Sequence, residues 1–100
     1  ISATGFRFEN ANKAFELAVQ RGAKPYTGAS DYPAVYGIGD SLIYFLDSES
    51  ENKLYTQTFK ITEENKEPFG FGLKLVDHFT NNVPRGEMQK WCDFYINVFN

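Results

Sequence analysis

Leu73-Lys74-Leu75-Val76-Asp77-His78-Phe79-Thr80-Asn81-Asn82-Val83 decides how the chain is read, because it carries the only histidine at the point where a second structural unit begins. Leu73–Thr80 is apolar or β-branched at most positions. Gly72 precedes it and Asn81-Asn82 follows it, so the pattern predicts a strand. Along a strand successive side chains point to opposite faces, which places Lys74, Val76, His78 and Thr80 on one side and Leu73, Leu75, Asp77 and Phe79 on the other. On that geometry Asp77 and His78, adjacent and chemically suited to hold a metal together, cannot enter one pocket.

Downstream, Met88, Trp91, Cys92, Tyr95, Val98 and Phe99 recur at three- and four-residue steps and predict a helix with one apolar face. Pro84 suits its first turn, having no amide hydrogen to leave unpaired, and Glu87 complements the positive helix start. Trp91 and Tyr95 read as core packing on this face. Cys92 reads as a small buried core residue. The sequence stops directly after Val98 and Phe99, which suggests an excised piece of a longer protein with that apolar pair left exposed.

Upstream, Thr4–Glu9 alternates as a half-buried strand. Asn10 caps a helix carrying Ala11, Ala14, Phe15, Ala18 and Val19 on one stripe, and Gly22 closes it. Lys24–Ser30 reads as a loop. Ala34–Ile38 and Ser41–Leu46 are strands joined by Gly39-Asp40, a tight-hairpin signal; a phosphate-binding glycine loop would need a helix there instead. Ser41–Leu46 is apolar on both faces and is expected at the centre of the sheet. Asp47–Asn52 reads as a solvated acidic turn without calcium-loop spacing. Leu54–Ile61 alternates as a further strand with one wet face.

Composition shifts most sharply over Glu64–Phe69. The expected organisation is therefore a strand-helix-strand-strand-strand (βαβββ) module over residues 1–63, a linker over 64–70, and the first strand and helix of a second module over 71–100. This is an α+β fold in which Thr4–Gly22 and Val76–Phe99 are equivalent.

The bulk properties exclude several partners. Of 100 residues, 42% are hydrophobic and 17% aromatic, which favours a folded chain over a disordered one. With 10 Lys+Arg against 13 Asp+Glu and no basic run, there is no nucleic-acid footprint. No apolar stretch approaches the ~20 residues of a membrane span. The single cysteine precludes an internal disulfide and fits a reducing compartment, so the expected location is cytoplasmic.

The run Asp77-His78-Phe79-Thr80-Asn81-Asn82-Val83-Pro84-Arg85-Gly86-Glu87-Met88, continuing to Trp91 and Phe94-Tyr95, resembles the start of the catalytic domain of the 4-hydroxyphenylpyruvate dioxygenases. Its pattern is D-H-x-T-x-N-V-x-R-G-x-M-x-x-W-x-x-F-Y. Gly5-Phe6-Arg7-Phe8 and Gly37–Tyr44 resemble the second module of that family's N-terminal domain, within the wider vicinal oxygen chelate (glyoxalase-like) superfamily. The resemblance implies repeated βαβββ modules and a mononuclear Fe(II) site of two histidines and one glutamate. His78 stands as the first of these ligands, and the others fall beyond Asn100. It also implies conversion of 4-hydroxyphenylpyruvate and O2 to homogentisate and CO2 in tyrosine catabolism by a homo-oligomeric enzyme, some of whose bacterial relatives carry haemolysin names. The substrate-contacting residues stay unassigned. Two other readings compete with this one. The first is a non-catalytic small-molecule or metal-binding protein of the glyoxalase and antibiotic-resistance type, and the second is a structural interaction module.

Overall fold

The computed structural model describes residues 1–59 and 70–100. The boundary expected at Glu64–Phe69, and the end of the strand expected over Leu54–Ile61, lie outside the described residues. The elements are strand β1 (Ala3–Arg7), helix α1 (Ala11–Gln20), strands β2 (Ala34–Tyr36) and β3 (Leu42–Leu46), helix α2 (Ser48–Lys53), a π-helical turn over Leu54–Thr58, and helix α3 (Met88–Phe99).

Helix α1 begins where its cap predicts. The Asn10 side chain accepts from the Lys13 N–H at 2.8 Å, which satisfies one of the donors a helix start leaves unpaired. At its other end Gly22 takes φ +98°, a conformation costly for residues with a Cβ. There the Ala23 N–H reaches the Ala18 carbonyl and the Gly22 N–H reaches that of Val19, each at 3.0 Å, a Schellman closure.

The sheet order is β1-β3-β2. β3 runs parallel to β1, with Phe6 beside Phe45, and antiparallel to β2. The apolar strand is thus bonded on both edges, as its two-faced hydrophobicity implies, and it carries the fully buried Phe45. The hairpin into it turns at Gly39-Asp40, both at positive φ (61° and 58°), the backbone that a primed hairpin turn requires.

The third strand of the module is not where its alternation suggested. Lys24–Tyr26, read as a loop, forms an isolated bridge of Pro25 with Val35. The Tyr26 N–H donates to the Ala34 carbonyl and the Tyr36 N–H to that of Lys24. The described order up to Leu46 is therefore strand, helix, bridge, strand, strand. Leu54–Thr58 is π-helical instead of extended. The preceding Asp47–Asn52 is likewise not a turn. Asp47 Oδ1 accepts from the Ser50 N–H at 2.9 Å while Ser50 Oγ accepts from the Asp47 N–H at 2.7 Å, a capping box that starts α2.

Leu73–Thr80 also differs from expectation. It forms no ladder with any described strand, and Leu73 is 95% exposed. Pro84 does not open the helix. It begins a turn closed by the Glu87 N–H on the Pro84 carbonyl at 3.1 Å, with Gly86 at φ +87°, and α3 starts only at Met88. Of the expected equivalence of Thr4–Gly22 with Val76–Phe99, both segments contain a helix, but only the first contains a strand.

α3 packs on the sheet face shared with α1. Phe99 meets Phe6 edge-on at 5.3 Å and stacks near Phe45 at 5.9 Å, and Val98 is buried, so the terminal apolar pair is covered, not exposed. Arg21 Nη1 donates to the Val98 carbonyl at 3.1 Å and ties the end of α3 to α1. Trp91 and Tyr95 are half-buried, in keeping with their packing role, whereas Cys92 is exposed. At ~100° per residue Cys92 lies about a quarter-turn off the mean direction of Trp91, Phe94, Tyr95, Val98 and Phe99.

Asp47 joins more of this module than its own helix. Its Oδ2 also accepts from the Ala11 N–H at 3.1 Å, so one carboxylate caps the starts of both α1 and α2. Backbone hydrogen bonds from Ser50 and Ala11 hold its pKa down to about 2. The folded value is depressed below the ordinary ~3.9, so the stabilisation is present above pH ~4 and is lost as pH falls toward the folded value. Thermal melting of the wild type against Asp47→Asn should show the wild-type advantage at pH ~5 shrinking between pH ~4 and ~2. An advantage independent of pH would contradict this role.

Candidate metal-ligand segment

The only histidine lies in the exposed stretch between Gly70 and the turn at Pro84. His78 Nδ1 stands 2.6 Å from Asp77 Oδ2, and their side chains are 77% and 84% exposed. The alternation argument that kept these neighbours apart fails because no ladder imposes strand geometry here. Without that constraint the adjacent carboxylate turns onto the imidazole. A neutral His78 donating from Nδ1 to Asp77 carries its lone pair on Nε2, the arrangement in which a carboxylate fixes the tautomer of a metal-binding histidine. Asp77 is therefore a functional candidate that the sequence reading set aside. Its signal was simple adjacency.

The donor set does not reach a complete site. Among the described residues no group of three histidine, cysteine or carboxylate side chains comes together. His78 supplies one imidazole whose orienting partner is already engaged. A stable mononuclear centre needs several ligands fixed in geometry. The residues present fit a single ligand position, not an iron site.

The other face of the sheet is open. Ala3, Gly5, Tyr44 and Leu46 floor a cleft of about 740 Å³ whose far wall is formed by Tyr55 and Phe59. Gly5 sits opposite Tyr44, and a Cβ there would come within 2.9 Å of Leu46 Cδ1. The Tyr32 hydroxyl and Thr58 Oγ1 close one rim at 3.0 Å.

A mixed sheet entered by a strand-helix unit and completed by a short bridge and a hairpin, with a histidine-bearing segment beyond it, defines a glyoxalase-like α+β module. The chain belongs to the hydroxyphenylpyruvate dioxygenase family, whose model described as "Hydroxyphenylpyruvate dioxygenase, HPPD, N-terminal" matches residues 1–60. It is 49% identical to Protein MelA of Shewanella colwelliana over 99% of its own length and 30% of that protein. It is 39% identical to the 4-hydroxyphenylpyruvate dioxygenase of Legionella pneumophila (strain Corby), over 98% of this chain and 28% of that enzyme. Hemolysin VllY of Vibrio vulnificus is 34% identical over 100% of the chain and 30% of its own length, in keeping with the expected haemolysin naming. The chain thus spans about 30% of the length of the curated relatives it matches.

Proposed function

We propose that this chain is part of a 4-hydroxyphenylpyruvate dioxygenase that converts 4-hydroxyphenylpyruvate and O2 to homogentisate and CO2. The observation that carries this reading is the likeness to a relative named for that activity, which runs through 98% of the chain and so takes in the His78 segment as well as the module. Residues 1–63 are the second half of the N-terminal domain, 64–70 the linker, and 71–100 the start of the catalytic domain. His78 is the first of three Fe(II) ligands, and a second histidine and a glutamate follow Asn100 in the parent.

Bound in the parent with His78 among its ligands, Fe(II) would supply Lewis-acid and redox chemistry. The residues of this chain do the orienting. With His78 as its Nδ1–H tautomer, Asp77 accepts that hydrogen bond and leaves Nε2 as the free donor atom for a metal. The parent is proposed to be cytoplasmic and homo-oligomeric. Among the described residues no helix is long and apolar enough to cross a membrane. Leu75 and Val76, 77% and 79% exposed, offer apolar surface for further modules or subunits.

Anaerobic Fe(II) titration followed by oxygen uptake tests the division of labour. The full-length parent should take up iron stoichiometrically and consume oxygen only with 4-hydroxyphenylpyruvate, releasing homogentisate. The 100-residue chain should bind iron weakly and show no substrate-dependent uptake. A parent that binds the keto acid without oxygen consumption would favour the binding-protein reading.

A further inference from the structure

The segment Ser48–Phe59 is held in its helical form from outside. Neither α2 nor the π-helical turn contributes a buried residue, and Tyr55 and Phe59 are 56% and 57% exposed. Among the described residues three polar attachments fix it: the Asp47 capping box, Arg7 Nη2 on Glu51 Oε1 at 2.6 Å, and the Tyr32 hydroxyl on Thr58 Oγ1 at 3.0 Å. The last two are exposed and hold weakly, and the ion pair is screened by salt.

The sequence beneath this helix favours another conformation. Leu54, Thr56 and Thr58 alternate with Tyr55, Gln57 and Phe59, a period-two pattern rich in β-branched and aromatic residues. The turn adopted instead is π-helical, a rare geometry that seldom persists without a role. Local preference and observed structure disagree here. That conflict marks a segment whose two forms lie close in free energy. Its position gives the conflict a consequence, because Leu54, Tyr55, Thr58 and Phe59 form one wall of the cleft over Gly5, Tyr44 and Leu46.

We infer that Ser48–Phe59 is a displaceable strap, helical when latched across the open sheet face and extended when released, so that the sheet face beneath is alternately covered and bared. The latches set the balance. The strap opens without unfolding β3, whose Phe45 is fully buried on the opposite face by Phe8, Phe15 and Phe99.

Hydrogen exchange on the 100-residue chain tests this. Amides of residues 50–58 should exchange at least about 100-fold faster than those of β3, and the gap should widen at high salt as the Arg7–Glu51 pair is screened. The double variant Glu51→Gln/Tyr32→Phe should speed the strap further and leave β3 unchanged. Strap and β3 amides exchanging at one common rate in the wild type would overturn the inference. So would a latch variant in which both lose protection together.

Discussion

His78→Ala in the full-length parent is expected to abolish homogentisate formation while leaving the protein folded. Two quantities set this expectation. The imidazole is 77% exposed and, among the described residues, hydrogen-bonds the neighbouring Asp77 carboxylate, so its removal empties no cavity there. Loss of a partner that merely orients a metal ligand costs ~10–100-fold in metal affinity or activity, so loss of a ligand itself should cost at least that much. Asp77→Asn supplies the graded comparison. It keeps an acceptor near Nδ1 but removes the charge, and it should weaken iron retention less than His78→Ala does. Iron content and product formation, measured beside an unchanged circular dichroism spectrum, check both variants. Wild-type iron content in His78→Ala would remove His78 from the ligand set.

The sequence was most legible where a local signal and a tertiary need coincide. Asn10 and Gly22 bracket α1 because capping chemistry is local, and Gly39-Asp40 turns a hairpin because only certain residues tolerate positive φ. Ser41–Leu46 was recognisable as central since burial on both faces leaves no polar alternation. Two of the errors share one cause. Period-two alternation shows that a stretch could be a strand, not that an edge awaits it. Leu54–Thr58 joins no edge of the sheet, and Leu73–Thr80 meets no described partner. Lys24–Tyr26, with a proline and no alternation, was hidden for the converse reason: its few ladder bonds come from Ala34 and Tyr36 and not from its own pattern. Asp47 escaped notice because its capping box closes on Ser50 instead of the Glu or Gln that usually marks one. At the candidate site the type of residue was legible and the Asp77 contact was not, since the argument against it assumed the strand.

Phe45→Ala should be the most damaging single substitution in the module. Phe45 is fully buried at the centre of the middle strand, stacked on Phe8 at 4.9 Å, met edge-on by Phe15 at 5.8 Å and stacked near Phe99 at 5.9 Å. Those three rings come from the chain just after β1, from α1 and from α3, so one side chain joins elements far apart in sequence. Truncating a buried phenylalanine costs ~3–5 kcal/mol, the lost transfer energy adding to that of the cavity left behind. The neighbours cannot readily collapse into that cavity. Ile43 and Val35 are themselves buried and fixed by the ladder, and the residue paired with Phe45 across it, Phe6, is held against Phe99 at 5.3 Å. A domain of this size has ~5–15 kcal/mol in all, so the variant should be marginally folded or unfolded at room temperature. Urea denaturation should place its midpoint far below that of the wild type. Phe99→Ala provides the contrast: its ring is only partly buried, at the end of α3, and it should cost less and loosen α3 before the sheet. A Phe45→Ala protein melting within about 1 kcal/mol of the wild type would mean that α1 and α3 are not seated on β3 through this ring.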